Sequence, residues 1–415
     1  MALHVLYVAQ YYNEPQEPGG GRHYAFTRSL VERGHRVTLI TGQENYRTGR
    51  IPRRYGGRMI HREELNGVEI LRAWVMTGYR RRFWLRYLNQ LSFLLTGTGA
   101  GLRLPSPPEV VVASSPPLLA AAAGALLAAR HRAPLITDIR DLWPESVIAM
   151  GLPVHAFLVR GGFTMARWIY RRSRALIAVT QGIRDGLMAQ EQPSGKIHHI
   201  PNGVDWGLYE EPPQPGDWRS RLRLEDKFVS VYVGGMGPVH NVATLVEAAA
   251  HLARDPRMHF VLAGDGPEKP RLARRAQELG LTNVTFHEAV PKREVPGLLA
   301  AGDLCVYSLR NDPFFRGTFP NKNFDYMASG RPLVLAVEGE SQQLVEAAGA
   351  GRVVPPEDAG AMAAAIREMA ALPAGERRAM GERGRRYVME RYHRRQLGVR
   401  FAELVEAAAE GAAGR

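Results

Sequence analysis

The stretch that decides the fold is residues 316–336, which read Arg316-Gly-Thr-Phe-Pro-Asn-Lys-Asn-Phe-Asp-Tyr-Met-Ala-Ser-Gly-Arg-Pro-Leu-Val-Leu-Ala336. Pro320 and Asn321 are typical of a helix start, and the Gly-Arg-Pro at 330–332 is typical of a helix end. The apolar run 333–336 that follows predicts a short buried strand. A loop, a short helix and a buried strand in this order indicate one repeat of an open α/β sheet.

Two charged side chains, Lys322 and Asp325, fall in the first turns of this predicted helix. The helix start lies beside the carboxyl end of the preceding predicted strand, 303–307. That edge is where open α/β sheets bind ligands, and helix N-termini attract phosphate groups. The sequence therefore predicts a site for an anionic ligand around residues 316–325.

Length, composition and charge limit the fold class, the number of domains and the partners that the chain can have. A chain of 415 residues with 45% hydrophobic and 23% charged residues suits a soluble globular protein with two domains. Its net charge of +13 suits an anionic partner, such as a nucleotide diphosphate, a phospholipid headgroup or nucleic acid. The single cysteine, Cys305, lies in an apolar run and cannot form an internal disulfide.

The sequence also predicts where the chain resides. Residues 2–9 read as a first strand and lack the basic start and the cleavage site of a signal peptide. The longest uncharged run, 110–129, is interrupted by Ser-Ser-Pro-Pro at 114–117, so we interpret it as a strand and a helix and not as a membrane span. We therefore expect a cytoplasmic chain.

Strand and helix patterns alternate along the chain, which predicts parallel sheets covered by helices on both faces. The predicted helices are 22–33, 83–96, 117–131, 154–172, 181–190 and 241–254. The predicted strands are 3–9, 36–40, 68–73, 109–113, 134–138, 175–179 and 197–200, and then 228–233, 259–263, 284–287, 303–307, 333–336 and 352–354. The pattern restarts at 228, after the acidic and proline-rich segment 210–215. Two Rossmann-like domains with a cleft between them are therefore expected.

Three glycine turns follow predicted strands. In the first, Gly20 and Gly21 precede a helix, where backbone amides can approach a phosphate. Its spacing is not Gly-x-Gly-x-x-Gly and no acid stands at the distance that holds a dinucleotide ribose, so a nicotinamide cofactor is disfavoured. The second turn contains Gly235 and Gly237, and the third contains Gly264. A loop without ligand, or a purely structural turn, is the alternative in each case.

Four charged residues crowd the end of the predicted strand 134–138, namely Asp138, Arg140, Asp141 and Glu145. Such clusters gather perturbed pKa values and substrate-binding groups. The alternative is helix capping, with Pro144 at the first helical position and Glu145 favoured by the helix dipole. Both interpretations are compatible if Glu145 caps the helix and the other three face a ligand.

Residues 80–95 combine a basic start with apolar residues at helical spacing, at positions 83, 87, 91 and 95 and at 84 and 88. Such a helix suits an anionic membrane surface. A helix packed on the core, with its arginines in solvent, is the alternative interpretation.

Taken together, these segments resemble the family 4 retaining glycosyltransferases, and within them the subgroup that builds bacterial surface polysaccharides. The resemblance covers nearly the whole chain. It is carried by the Pro-Asn-Lys-Asn-Phe-Asp-Tyr-Met-Ala-Ser-Gly-Arg-Pro at 320–332, the Pro-Asn-Gly-Val-Asp at 201–205 and the Gly-Asp-Gly-Pro at 264–267. This family has the GT-B fold.

The resemblance implies a first, acceptor-binding domain at 1–205 and a nucleotide-sugar domain at 206–385, with a C-terminal helix, 386–415, that crosses back to the first domain. It implies transfer of a sugar from a nucleotide-diphosphate donor, expected to be UDP-linked, to an acceptor hydroxyl with retention. The sugar would be of the hexosyl or N-acetylhexosaminyl type, and the acceptor a saccharide or lipid-linked saccharide. No cofactor is expected, and no metal, because the chain lacks an Asp-x-Asp motif.

The resemblance also assigns site residues. The catalytic candidates are Lys322, Arg316, Asp138, Arg140 and Asp141. The donor-binding candidates are Gly20, Gly21, Gly235, Gly237, Gly264, Val290, Asn321 and Asp325.

The chain departs from the family pattern in two places. Gly317 stands where the family has the first Glu of its Glu-x7-Glu motif, whose second Glu corresponds to Asp325. The turn 234–237 also lacks the basic residues that many relatives carry after this strand, which shifts the charge role to Lys322 or Arg316. A nucleotide-sugar 2-epimerase, which shares the fold, is the enzymatic alternative, and a nucleic-acid-binding protein is a more distant one.

Overall fold

The computed structural model describes residues 2–12, 21–45, 48–78, 85–149, 151 and 154–413. The chain divides into two compact units, Met1–Pro201 with Arg394–Arg415, and Asn202–His393. The chain first passes from one unit to the other between Pro201 and Asn202, four residues before the boundary expected at 205/206. The C-terminal segment expected to return to the first domain is itself divided, since residues 386–393 belong to the second unit.

The described residues form an alternating series of strands and helices. The strands are β1 His4–Val8, β2 Arg36–Gly42, β3 Ile60–Leu65, β4 Val68–Ala73, β5 Val110–Ser115, β6 Leu135–Ile139, β7 Ser173–Ala178, β8 Ile197–His199, β9 Phe228–Val233, β10 Met258–Ala263, β11 Val284–His287, β12 Leu304–Ser308, β13 Leu333–Ala336 and β14 Gly351–Val354. The helices are α1 Arg22–Glu32, α2 Leu85–Gly101, α3 Leu118–His131, α4 Glu145–Ala149, α5 Ala156–Arg172, α6 Gln181–Ala189, α7 Trp206–Tyr209, α8 Trp218–Leu222, α9 Ala243–Leu252, α10 Lys269–Glu278, α11 Val295–Ala301, α12 Pro313–Arg316, α13 Lys322–Ala328, α14 Glu340–Ala348, α15 Ala359–Ala371, α16 Ala374–Arg391 and α17 Arg394–Ala413.

The first unit is built on an eight-stranded sheet in the order β3-β4-β2-β1-β5-β6-β7-β8. Neighbouring strands pair in parallel except for β3 and β4, which are antiparallel. One face is covered by α2, α3 and α5, which bury Phe93, Leu127 and Ile169 against it. The other face is covered by α1 and α17, where the rings of Phe26 and Phe401 stack with centroids 4.1 Å apart. The C-terminal helix α17 therefore completes the core of the first unit.

Strand β3 of the first sheet is not among the strands predicted from the sequence. Its residues, Ile60-His-Arg-Glu-Glu-Leu65, are mostly charged and half-exposed. The strand lies at the edge of the sheet and pairs with one neighbour, β4. Apolar periodicity is too weak in such a segment to mark it as a strand.

The second unit is a six-stranded parallel sheet in the order β11-β10-β9-β12-β13-β14. Its inner strands are short apolar runs buried on both faces, as expected for a parallel sheet between helices, whereas the edge strands β11 and β14 are partly exposed. The predicted two-domain α/β class is thus confirmed. No helix in the described part of the chain is both long and apolar enough to cross a membrane.

Helix α2 packs on the core through a face that contains only part of the apolar stripe seen in the sequence. The residues that pack inward include Asn89, Phe93 and Gly97. Leu91 and Leu95, from the predicted apolar stripe, are instead 42% and 66% exposed. The basic start of the predicted helix, at 79–84, lies outside the described residues.

Candidate functional site

In the second unit, the turns after β9 and β10 are held together backbone to backbone. Gly264 has φ +149°, and a Cβ at this position would lie 1.8 Å from the carbonyl oxygen of Gly234. Gly266 has φ +156°, and its Cβ would lie 2.4 Å from the carbonyl oxygen of Met236. The fold therefore requires glycine at 264 for its own packing. The donor-binding role expected of Gly264 is not needed to explain this residue.

The glycines of the turn after β9 have a different environment. A Cβ at Gly235 would meet only the His240 imidazole, at an ordinary distance of 3.5 Å from Nε2. A Cβ at Gly237 would meet nothing within 4 Å, and neither glycine has a positive φ. Internal packing does not require glycine at either position, so the missing side chains leave open space along this turn. Gly234 has a further effect, because a Cβ there would lie 3.0 Å from the Nζ of Lys322.

Lys322, the first residue of α13, directs its ammonium into the space beside Gly234. Nζ donates to the Tyr232 hydroxyl at 2.9 Å and lies 3.4 Å from Nδ1 of His240. It also lies 4.6 Å from the ring centroid of Tyr232 and 4.4 Å from that of Tyr307. Cation–π contacts of this kind stabilise an ammonium that has lost its water. Strands β9 and β12 and helix α13 thus meet at one cation.

The electrostatics of this cation are unusual. Desolvation lowers the pKa of Lys322 to about 7. Burial, followed by the neighbouring ammonium of Lys322, lowers the pKa of His240 to about 3, so the imidazole is neutral. Within the described ranges, Lys322 forms no ion pair with a carboxylate. A bound anion would supply the missing negative charge and return the lysine to its protonated form.

Arg316, the other candidate for this charge role, is engaged elsewhere. Its Nε lies 2.8 Å from Oε2 of Glu338, and both side chains are exposed. The backbone of Gly339 passes close to that of Arg316. Glycine is needed there, because the residue has φ +78° and a Cβ would lie 2.0 Å from the carbonyl oxygen of Arg316. Since the charge of Arg316 is already balanced at the surface, Lys322 is the better phosphate-binding candidate of the two.

The remaining donor candidates lie on α13 and near β11. Asp325 is half-buried and lies beside Tyr209, whose pKa is raised by burial and further by the Asp325 charge. Asn321 precedes the helix and is exposed, and its side chain does not cap the helix. Val290 follows β11 and packs on the core. The side-chain amide of Asn321 is thus exposed to a ligand. The donor-binding roles expected of these residues remain predictions.

The carboxyl edge of the first unit's sheet also contains a cation, the buried Arg22, directly after Gly21 at the N-terminal end of α1. Its Nε and Nη2 donate to the two carboxylate oxygens of Asp138 at 3.0 and 2.8 Å. It also donates to the carbonyl oxygens of Ile200 and Pro201. Asp138 is fully buried. Asp138 is therefore paired with Arg22 in this structure, and its expected catalytic role stays a prediction. Gly20 lies outside the described residues.

Arg140 organises the neighbouring strand end. Its Nε donates to the Ser114 hydroxyl at 3.1 Å and its Nη2 to the Pro116 carbonyl at 2.9 Å. His23 contacts the same hydroxyl, with its Nε2 3.5 Å from Ser114 Oγ. Its Nδ1 lies 2.8 Å from the Tyr7 hydroxyl oxygen. Burial, then Arg140 and Arg22, holds the pKa of His23 well below its usual value. Arg140 is half-buried, so it remains a candidate for contact with a ligand.

Asp141 and Glu145 follow at the start of α4. Burial raises the pKa of Asp141 to about 6, against the opposing influence of Ser146 and Arg140. Helix α4 begins at Glu145, as the capping alternative predicts, and Oε1 of Glu145 accepts from Nε2 of Gln190. Asp141 therefore titrates closer to neutrality than an ordinary aspartate.

One buried polar cluster was not anticipated. Glu44, which follows β2, accepts hydrogen bonds from Nε2 of Gln10 at 3.2 Å and from Nδ2 of Asn89 at 2.9 Å. Burial raises the pKa of Glu44 to about 7. Gln10 and Glu44 each stand just after a strand, so the rule that pointed to Asp138 would also have selected them. Asn89 carries no such signal, because it lies inside an otherwise apolar helical pattern.

The described residues contain no group of three or more His, Cys, Asp or Glu side chains arranged to hold a metal ion.

Comparison with known proteins identifies relatives for both units. The model described as "Glycosyl transferase 4-like domain" matches residues 19–203, and the model described as "Glycosyl transferases group 1" matches residues 227–371.

Two curated relatives are informative. The GDP-mannose-dependent alpha-(1-6)-phosphatidylinositol monomannoside mannosyltransferase of Mycolicibacterium smegmatis is 29% identical over 259 residues, covering 60% of this chain and 66% of that protein. The Escherichia coli protein named for colanic acid biosynthesis, the glycosyl transferase WcaI, is 32% identical over 159 residues, covering 37% of this chain and 39% of that protein. The aligned regions thus span less than two thirds of either relative.

Among solved structures, Anabaena HepE in complex with UDP-glucose is similar to the whole chain. It has a TM-score of 0.70 and 18% identity, and the match covers 98% of this chain and 100% of HepE. At this identity the likeness shows a shared fold.

Proposed function

We propose that this chain, which belongs to the glycosyltransferases of the family 4 type with the GT-B fold, moves a sugar from a nucleotide-diphosphate donor to an acceptor hydroxyl with retention. The observation that carries this proposal is the ammonium of Lys322. It is desolvated, it contacts only neutral groups in the described structure, and it lies beside the open glycine turn 234–237. A leaving diphosphate is the kind of ligand that such a cation stabilises.

The proposed reaction forms a bond between the acceptor oxygen and the anomeric carbon and breaks the bond from that carbon to the diphosphate. The acceptor enters on the face that the diphosphate leaves, and a phosphate oxygen takes the acceptor proton. Negative charge grows on the diphosphate during this step, and Lys322 and the amides of Gly235 and Gly237 would meet it. Arg140 and Asp141, at the edge of the other sheet, are the candidates for contact with the acceptor.

The donor base is the least constrained part of the proposal. HepE was solved with UDP-glucose, whereas the mycobacterial relative is named as GDP-mannose-dependent. We expect a UDP-linked hexose or N-acetylhexosamine. A thermal-shift screen of UDP- and GDP-sugars tests this directly, because a ligand that binds only the folded protein raises its melting temperature. A stabilising GDP-sugar with no UDP-sugar effect would overturn the choice of base and leave sugar transfer intact.

We further propose that donor turnover needs no metal ion, since Lys322 supplies the charge that a cation would otherwise provide. Turnover of the stabilising donor should then continue in the presence of a chelator. Activity that is lost in chelator and restored by magnesium or manganese would contradict this.

The alternatives are separated by product analysis. A 2-epimerase would release an altered sugar without any acceptor, whereas a transferase couples donor loss to product on an acceptor. The relatives compared above are named as transferases, which favours transfer over both epimerisation and nucleic-acid binding. A filter-binding assay at moderate salt addresses the nucleic-acid alternative.

We also propose a role in cell-surface polysaccharide or glycolipid synthesis at the cytoplasmic face of an anionic membrane. The relative WcaI is named for colanic acid biosynthesis. In the first unit, α2 exposes Leu91 and Leu95, and α5 exposes Phe157, which is 82% accessible. Both helices pack on the same face of the sheet, and exposed arginines such as Arg160 accompany them. Apolar side chains near arginines suit a surface of anionic lipid.

Liposome sedimentation tests the membrane proposal. Binding to anionic vesicles should exceed binding to neutral ones and should fall with added salt, because salt screens the attraction to headgroups. Leu95→Ser with Phe157→Ser should reduce binding, whereas Val399→Ser, an exposed apolar position on α17, should not. Equal and negligible binding to both kinds of vesicle would rule the proposal out.

A further inference from the structure

A cavity of about 520 Å³ lies beside β8, the last strand at one edge of the first unit's sheet. Four basic side chains line it, and they come from three separate elements. Arg184 is on α6, His198 and His199 are on β8, and Arg400 is on α17. All of these residues belong to the first unit, whereas the proposed donor residues belong to the second.

The cavity has an apolar base and an ordered rim. Ile197 and Ile200 line it and are almost fully buried. Arg400 is fixed at the rim, because its Nη2 donates to the backbone carbonyl of His199 at 3.0 Å. This bond uses part of the guanidinium and leaves further N–H groups for a ligand. The volume is in the usual range for pockets that bind small molecules.

The charges that face the cavity are mainly positive. Arg184 and Arg400 contribute two positive charges, and Glu403 on α17, which is exposed, contributes one negative charge. Burial lowers the pKa of His198. Burial also lowers the pKa of His199, and Arg400, Arg184 and Arg22 lower it further. The arginines thus create a positive potential at His199 that the described acid does not cancel, and a bound anion would relieve it.

We propose that this cavity binds the phosphate group of a small phosphorylated molecule, with Arg184, Arg400 and His199 as its ligands. Two guanidinium groups and an imidazole that gains a proton match the charge and the several acceptor oxygens of a phosphate dianion. The apolar base suits the carbon skeleton of the bound molecule. Two sources share this chemistry, namely a phosphorylated acceptor and a separate phosphometabolite. The inference is independent of the proposed transfer reaction.

The test is a titration of the full-length protein with inorganic phosphate and with glucose 1-phosphate, followed by NMR of the histidine side chains. Phosphate binding should be saturable and should raise the pKa of His199, since a bound anion favours the protonated ring. Binding should also tighten as the pH falls through the titration of the histidines. The absence of a saturable shift at His198 and His199 would overturn the proposal.

Matched variants make the test specific. Arg184→Gln and Arg400→Gln should each weaken phosphate binding by about tenfold or more, as expected for the loss of a charge-assisted hydrogen bond. Glu403→Gln should strengthen it by about two- to fivefold, because it removes the opposing charge from an exposed position. A gain of this kind would not result from a merely structural role. Arg130→Gln, which makes the same charge change at an exposed position on α3, should leave binding unchanged. Equal weakening by Arg130→Gln would show a diffuse charge effect and overturn the site.

When an acceptor has been identified, steady-state kinetics distinguishes a phosphorylated acceptor from a separate phosphometabolite as the ligand of the cavity. Inorganic phosphate that competes with the acceptor identifies the cavity as the place of an acceptor phosphate. Inhibition or activation that is not competitive with the acceptor identifies a separate phosphometabolite. If no transfer activity is found, the NMR titration still decides whether the cavity binds phosphate.

Discussion

The two sheets each place a cation at their carboxyl edge, and the buried Arg22 and the partly buried Lys322 have opposite surroundings. In the first unit, Arg22 donates to both oxygens of Asp138 and to two backbone carbonyls. In the second unit, Lys322 contacts a tyrosine hydroxyl, a neutral imidazole and two aromatic rings. Arg22 is fully neutralised by the protein, and Lys322 is not.

This difference separates a structural charge from a functional one. Burying an ion is costly unless a partner compensates it, so Arg22 and Asp138 together form a stable part of the fold. Lys322 is kept desolvated with a lowered pKa, which is typical of a site that awaits a charged ligand. We therefore expect changes at the first pair to lower stability, and changes at Lys322 to lower catalysis without lowering stability.

The largest effect is expected for Asp138→Asn. It should lower the free energy of unfolding of the first unit by about 3–5 kcal/mol, because Arg22 is left buried without its counter-ion. Urea denaturation followed by fluorescence measures this. Asp226→Asn, the same change at an exposed position, should stay within about 0.5 kcal/mol of the parent. An Asp138→Asn protein of normal stability that had lost activity would instead show that Asp138 faces a ligand.

The next effect is on turnover. Lys322→Met should lower kcat by about 10²-fold, because the diphosphate loses the group that meets its growing charge. Lys292→Met, at a partly exposed lysine in the same unit, should retain the parent kcat, and Arg316→Ala should remain within about twofold of it. Steady-state kinetics with saturating donor measures all three. A parent-like kcat in Lys322→Met, together with a large loss in Arg316→Ala, would move the assignment to Arg316.

The same substitution should raise the stability of the protein. The pKa of Lys322 is lowered in the folded state, so below about pH 7 both states are protonated and the folded state carries the full cost of the buried charge. Between about pH 7 and the ordinary pKa of lysine, only the folded state loses its proton, and this cost declines. The gain in melting temperature of Lys322→Met should therefore be greatest below pH 7 and smaller at higher pH.

A smaller effect is expected at Asp325. If this acid holds the donor ribose equally in the ground and transition states, Asp325→Ala should raise the donor KM by about tenfold and leave kcat nearly unchanged. Asp325→Glu, which restores the acid that the family carries at this position, should keep KM closer to the parent. A fall in kcat at constant KM would show that Asp325 acts in the transition state.

The comparison also shows how far the sequence could lead. Apolar runs such as 333–336 and 228–233 predicted β13 and β9 residue for residue, because parallel strands buried on both faces have a strong local signal. Lys322 was selected from its place in the first turn of a predicted helix, beside the carboxyl end of the preceding strand. Its partners Tyr232 and Tyr307 were not, because an aromatic residue inside an apolar strand looks like ordinary core.

Contacts that are distant in sequence were out of reach. Arg22 and Asp138 are separated by 116 positions, and no local pattern indicates that the two will pair. The sequence also left open whether the apolar stripe of α2 faces the core or a membrane. In the structure Leu91 and Leu95 are exposed, whereas Asn89 is buried and hydrogen-bonded to Glu44 and Gln10. In both cases tertiary packing and hydrogen bonding outweigh the hydrophobic pattern.

The smallest effect concerns pH, and it tests whether Lys322 acts as a cation in the free enzyme. Since its pKa is about 7, raising the pH through this value removes the charge that attracts the donor diphosphate. The kcat/KM for the donor should therefore decline on the alkaline side, by about threefold between pH 6.5 and 7.5.

Glu44 and Asp141 also have pKa values near this range, about 7 and about 6. Glu44→Gln should keep the decline if Lys322 causes it, whereas Lys322→Arg, whose guanidinium stays charged, should abolish it at any residual activity. A decline that persists in Lys322→Arg and disappears in Glu44→Gln would transfer the titration to the first unit and remove the distinction between the two cations.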